Sequence, residues 1–192
     1  MLVDSSQISS QRRGLVIGAV GHRYLPGERL ALFSAISRVL DDLVEQSTST
    51  PAEMEMLVSV AEGADRLFIE AAASMKIPYS CVLPCSPPCF ESDFDGPHSI
   101  SQFRRLLSGA RSIVRPEIEP EERVTGYLWA NQYILDRSDV LVAVWDGKPA
   151  NGPAGTADSV EDAGERCVPV IWIPTEAPHE PVALEMATFI FD

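Results

Sequence analysis

Three apolar runs along this chain have the length of buried strands, and each closes on a cluster of glycine and charged residues. Gly14 to Val20 (GLVIGAV) ends at Gly21-His22-Arg23, and Met54 to Val60 (MEMLVSV) ends at Ala61-Glu62-Gly63-Ala64-Asp65-Arg66. Asp139 to Trp145 (DVLVAVW) ends at Asp146-Gly147-Lys148. A continuous apolar run of this kind belongs to a strand covered on both faces, as in a parallel sheet. Helical patterns lie between the runs, and that alternation predicts an α/β fold. The expected architecture is a three-layer sandwich with a mostly parallel central sheet.

The intervening segments fill in this plan. A helix is predicted from about Glu28 to Val44, with Leu30, Phe33, Ile36, Leu40 and Leu43 on one stripe. A second helix follows Asp65, with Leu67, Phe68, Ala71, Ala72 and Met75 facing inward, and Tyr79 to Leu83 reads as a strand. Pro84 to Pro97 is a long loop of the sort that serves as a lid or a partner surface. A short helix over Ser101 to Ala110 and a short strand over Ser112 to Val114 come next, then a solvated acidic loop, PEIEPEER. Helices are predicted for Tyr127 to Arg137 and Thr156 to Arg166, and a final strand for Val168 to Ile173. Residues 1–13 read as a disordered lead and 14–192 as a single domain.

Charge and cysteine content narrow the partners. Twenty-eight acids against fifteen Lys and Arg give a formal net charge of −13. Such a field repels a phosphate backbone, so nucleic acid is not expected as the main partner. No apolar run approaches the length of a membrane span, and the amino terminus lacks the apolar core of a secretory signal, so the expected location is cytoplasmic. Cys81, Cys85 and Cys89 have C-x3-C-x3-C spacing, but Pro84, Pro87 and Pro88 prevent a helix from aligning them. They read as a buried strand thiol and two loop thiols rather than a metal site, and no metal or cofactor is required.

The three clusters stand where ligands bind in such sheets, beyond the carboxyl ends of strands near the switch in strand order. In WDGKPANGPAGTADSV, bare backbone at Gly152 and Gly155 precedes a helix that opens at Thr156. A helix amino terminus offers unpaired N–H groups and a positive dipole end to a phosphate. The alternative is that Thr156 or Asp158 only caps the helix. Gly147-Lys148 is followed by Pro149, so there is no Walker-type G-x-x-x-x-G-K-[ST], and Gly18 and Gly21 do not make a G-x-G-x-x-G. Arg23 and Lys148 are candidates for phosphate charge, with His22, Gly21, Asp146 and Gly147 beside them. Glu62 and Asp65 are candidates for ribose hydroxyls, flanked by Gly63 and Ala64. The alternative is an internal ion pair of Arg66 with Asp65 or Glu62. Trp145 either stacks on a base or packs in the core.

Together, Val20-Gly21-His22-Arg23, Ala61 to Arg66, and Ser138 to Lys148 followed by Gly152-Pro153-Ala154-Gly155-Thr156-Ala157-Asp158 resemble the SLOG superfamily, across about residues 14–173. The resemblance implies a Rossmann-like fold, related to LOG-type proteins and DprA, with a nucleotide or nucleotide-derived ligand. LOG enzymes are phosphoribohydrolases, usually dimers, with a P-G-G-x-G-T-x-x-E motif whose glutamate is catalytic. Here Gly155-Thr156 matches that motif, while Ser159 takes the place of the glutamate. A serine cannot stabilise an oxocarbenium cation as a carboxylate does. Glu62 and Asp158 are the remaining catalytic candidates. The expectation is a nucleotide-binding or sensor domain. The alternatives are a nucleotide N-ribohydrolase and a protein-interaction module. A homodimer is plausible through Tyr127, Trp129 and Tyr133, which exceed what one core contact needs.

Overall fold

The computed structural model describes residues 14–25, 29–117, 122–150 and 152–184. The elements run β1 (Val16–Gly21), α1 (Arg29–Gln46), β2 (Glu55–Val58), α2 (Ala64–Ser74), β3 (Tyr79–Val82), α3 (Pro87–Glu91) and α4 (Gly96–Ser108). They continue with β4 (Ser112–Val114), α5 (Arg123–Leu135), β5 (Val140–Trp145), α6 (Thr156–Glu165), β6 (Val170–Pro174) and β7 (Val182–Leu184). The predicted lead, residues 1–13, lies outside the described residues, as do Glu28 and residues 118–121 of the acidic loop.

The sheet has seven strands in the order β4-β3-β2-β1-β5-β6-β7. Every pairing is parallel except the last, in which β7 runs antiparallel to β6. The chain moves outward from β1 through β2, β3 and β4, then returns to place β5 on the other side of β1. The order therefore switches between β1 and β5, where the carboxyl ends of two central strands open a crevice.

Period-two alternation in the strands divides the core between the two faces. Val140, Val142 and Val144 of β5 pack with Ile17, Leu32, Ile36, Leu67 and Phe68 under α1 and α2. Leu141, Ala143 and Trp145 pack with Ala130, Ile134, Val160 and Ala163 under α5 and α6. Fully burying an aliphatic or aromatic side chain stabilises by about 1.5–3 kcal/mol, so the two layers together anchor the central strands beneath the crevice.

Some details differ from the pattern. Leu30 is exposed, and the buried stripe of α1 runs through Leu32, Ala35, Ile36, Val39 and Leu40. The segment from Pro84 to Pro97 contains α3, whose Phe90 packs against Phe94 and Phe103. β2 ends at Val58, because Val60 takes a positive φ of 68° and turns the chain away from the ladder. Among the described residues, no helix is long and apolar enough to cross a membrane.

Candidate functional site

A cleft of about 340 Å³ lies over the switch point, at the carboxyl ends of β1, β2 and β5. It is lined from the β1 end by Gly21, His22 and Arg23, and from the α2 side by Ser59, Ala61 and Asp65. The β5 end contributes Trp145, Asp146 and Lys148, and the glycine loop contributes Ala154, Gly155 and Thr156. Most of the singled-out residues therefore meet at one place. Glu62, Gly63, Ala64, Gly147, Gly152 and Asp158 are not in this lining.

Their positions explain why. Gly63 has φ 82°, and a Cβ there would stand 2.2 Å from the Arg23 carbonyl oxygen. The Ala64 N–H donates to the His22 carbonyl at 3.0 Å, and a Cβ on Gly21 would meet the Ala64 Cβ at 2.5 Å. Gly63 and Ala64 thus press the β1 and β2 turns together. Glu62 points to α4, accepting hydrogen bonds from Ser99 Oγ and from the Asp95 N–H at 3.3 Å. The Asp158 carboxylate turns back on its own helix and accepts the Gly155 N–H at 3.1 Å, the side-chain half of a capping box. Ser159, at the place of the LOG glutamate, does line the cleft, with its Oγ donating to the Gly155 carbonyl at 3.3 Å.

Val60 explains how the second turn faces the cleft. It is a buried β-branched residue in the left-handed region, a conformation such side chains rarely adopt. Its neighbours Ser59 and Ala61 line the cleft while Val60 itself sits in the core. The Ala61 N–H then meets the carboxylate of Asp65 at 3.0 Å. Asp65 is only 5% exposed, and burial pushes its carboxyl up to about 7, against the pull of the Ala61 hydrogen bond and of Arg23 and Arg66.

Across the cleft, His22 Nε2 lies 3.0 Å from Asp146 Oδ1 and 3.2 Å from the Asp146 N–H. A protonated Nε2 donates to the carboxylate, and a bare one accepts from the amide. Burial raises the Asp146 carboxyl, but the His22 hydrogen bond, the Lys148 N–H and the charges of both residues outweigh it and leave the group lowered. Trp145 is buried, and its Nε1 donates to the Lys148 carbonyl at 2.9 Å, which ties the start of the loop to the core.

Sequence reasoning missed the contribution of α5. Tyr127 and Asn131, one turn apart, both line the cleft. Asn131 Nδ2 donates to the Ala154 carbonyl at 3.2 Å and holds that residue at φ 64°. The hydroxyl of Tyr127 and the amide of Asn131, at i and i+4 on one face of the helix, were the available signal. The aromatic residues of α5 also find contacts within the chain: Tyr127 packs on Phe90, and Tyr133 sits between Trp129 and Arg137.

The thiols do not converge on the cleft: Cys81 and Cys85 are buried, Cys89 is half-buried and Cys167 is exposed. Burial, followed by the charge of Asp65, pushes the Cys81 thiol up to about 12. Among the described residues, no three His, Cys, Asp or Glu side chains are grouped to hold a metal ion.

No family model matches the sequence, and no curated protein matches it. Solved structures do match. DNA processing protein A (DprA) from Streptococcus pneumoniae superposes with TM-score 0.58 at 13% identity, covering 86% of this chain and 52% of that one. The chain shares its fold with DprA. The Helicobacter pylori DprA, whose structure concerns its single-stranded DNA binding mode, gives TM-score 0.56 at 16% identity over 88% of this chain and 69% of that one. A molybdenum cofactor binding protein from Rippkaea orientalis gives 0.51 at 14% identity over 84% of this chain and 77% of that one. The chain spans about half the length of the pneumococcal DprA. The Rossmann-like fold implied by the SLOG resemblance is the fold observed.

The DprA match also corrects one expectation. The net charge argues against nucleic acid as the main partner, yet the fold is shared with a protein that binds single-stranded DNA. The physical reason is that charge acts locally. Exposed charges more than about 8–10 Å apart are largely screened at physiological salt, so a sum of −13 does not describe one cleft. At this cleft, Arg23 and Lys148 balance Asp65 and Asp146 in the lining, with His22 and a helix amino terminus beside them.

Proposed function

We propose that the switch-point cleft binds a nucleotide or nucleotide-derived small molecule through its phosphate. The observation that carries this reading is convergence: the amino terminus of α6 at Gly155-Thr156 shares one cleft with Arg23, Lys148 and His22. Helix N–H groups and basic side chains aimed at one volume form an anion site. Its volume, about 340 Å³, lies at the small end of ligand pockets. Asp65, the buried acid of the lining, faces the sugar side. The likeness to a cofactor-binding protein supports a small-molecule ligand in this fold.

Binding precedes catalysis in this reading, because Ser159 occupies the glutamate position and Asp158 is committed to capping. A second reading, single-stranded DNA in the same cleft, is favoured by the Helicobacter pylori DprA. Isothermal titration with nucleoside 5′-monophosphates and with a short single-stranded oligonucleotide separates the two. The expected result is saturable nucleotide binding weakened at least tenfold by Arg23→Ala and by Thr156→Val. Oligonucleotide binding without mononucleotide binding selects the second reading. Binding of neither probe by a correctly folded protein refutes both.

A further inference from the structure

Beside the cleft, the donors gather around one carboxylate. Asp93 lies in the turn between α3 and α4, and its side chain is 16% exposed. Arg123 Nη1 at the start of α5 donates to its Oδ1, and Tyr127 Oη donates to its Oδ2. Arg23 Nη2 stands 3.9 Å from the same Oδ2 and 3.5 Å from Tyr127 Oη. Arg123 Nη2 is fixed by Ser92 Oγ at 2.5 Å. Two guanidinium groups and a phenol thus converge on a single acceptor. One of them, Arg23, is held only at long range, and Arg23 and Tyr127 are also walls of the cleft.

A phosphoryl group presents three oxygens and suits forked guanidinium donors such as these. The side chains of Arg23 and Arg123 remain 33% and 47% exposed, so both are reachable from solvent. Their combined charge exceeds that of Asp93 by one. Along α5, Tyr127 and Asn131 are one turn apart, about 6 Å along the axis, and Asn131 holds the glycine loop at Ala154. One helix face therefore connects the Asp93 cluster to the proposed phosphate cradle.

We propose that Arg23, Arg123 and Tyr127 form a second anion subsite, which Asp93 fills until a second phosphoryl group of the bound nucleotide displaces it. This inference rests on the proposed nucleotide site and specifies its ligand class: a nucleotide carrying two separated phosphoryl groups. Asp93 is a tethered competitor, whose hold depends on the high effective concentration of an intramolecular group. The ligand wins by offering the same donors a doubly charged group while its first phosphate stays at α6.

The test compares adenosine 5′-monophosphate with adenosine 3′,5′-bisphosphate by isothermal titration on the full chain. The bisphosphate is expected to bind at least tenfold more tightly. Asp93→Asn, which keeps a hydrogen-bond acceptor but removes the competing charge, is expected to widen that ratio a further several-fold. Arg123→Ala is expected to abolish the ratio. Monophosphate binding with no gain for the bisphosphate overturns this inference and leaves the first site standing. Failure of both probes overturns the two together. If Asp93→Asn fails to fold, the ratio measured on the unaltered protein decides.

Discussion

Gly63 and His22 touch through backbone alone: a Cβ on Gly63 would lie 2.4 Å from the His22 carbonyl oxygen, which already accepts the Ala64 N–H. This contact joins the turn after β1 to the start of α2 and so sets the width of the cleft. Gly63→Ala meets two penalties, a steric clash with two carbonyl groups and a side chain at φ 82°. Together these cost about 3 kcal/mol or more. The expected outcome is a large drop in the urea midpoint. A change below about 0.5 kcal/mol would show that the turns are not locked in this way.

The glycine loop allows a change of the opposite sign. Ala154 occupies the left-handed region at φ 64°, which costs a non-glycine residue about 1–2 kcal/mol. Ala154→Gly removes that strain at a backbone entropy cost of about 0.5–1 kcal/mol. A net gain of up to about 1 kcal/mol is expected from chemical denaturation. Asn131→Ala, which leaves the Ala154 carbonyl without its donor, is expected to cost about 1 kcal/mol. Loss of stability in Ala154→Gly would contradict the strained-loop account.

The contact between His22 and Asp146 has a pH signature. The Asp146 carboxyl is lowered from its ordinary value of 3.8, so it contributes stability above that value and loses it as pH falls through the lower folded one. Asp146→Asn is therefore expected to flatten the acid limb of the stability curve below about pH 4. In a carboxyl NMR titration, His22→Ala should move Asp146 back upward. An unchanged midpoint would mean that His22 is not what lowers it.

Much of this site could be read from the sequence, and what could not has identifiable causes. Apolar runs followed by glycine and charge located β1, β2 and β5 and the clusters at their ends, because strand burial and turn chemistry are local signals. Residues that face away were included for the same reason: spacing places Glu62 and Asp158 near the strand ends but cannot show that Ser99 and the Gly155 N–H take their carboxylates. Tyr127 and Asn131 were missed because α5 reaches the cleft only through tertiary packing. Val60 was read as the last residue of a strand, which its β-branched side chain favours, and the left-handed turn it makes overrides that propensity. Charge misled where a whole-chain sum replaced the field at one cleft.

Asp65 gives the clearest pH test. Its folded value of about 7 lies above the ordinary 3.8, so the folded protein holds a proton that the unfolded chain has released between those values. By linkage, the contribution of this group is fully present below about pH 4 and is lost as pH rises through about 7. The span corresponds to a loss on the order of 4 kcal/mol at most. Asp65→Asn keeps an oxygen for the Ala61 N–H and removes the titrating charge. Urea denaturation at pH 5 and pH 8 should show the variant gaining on the wild type at the higher pH. If the cleft binds a nucleotide as proposed, the same variant should also remove the pH dependence of its affinity that comes from titration of this carboxyl. A wild-type stability difference between pH 5 and pH 8 that survives Asp65→Asn unchanged would assign the titration to another group.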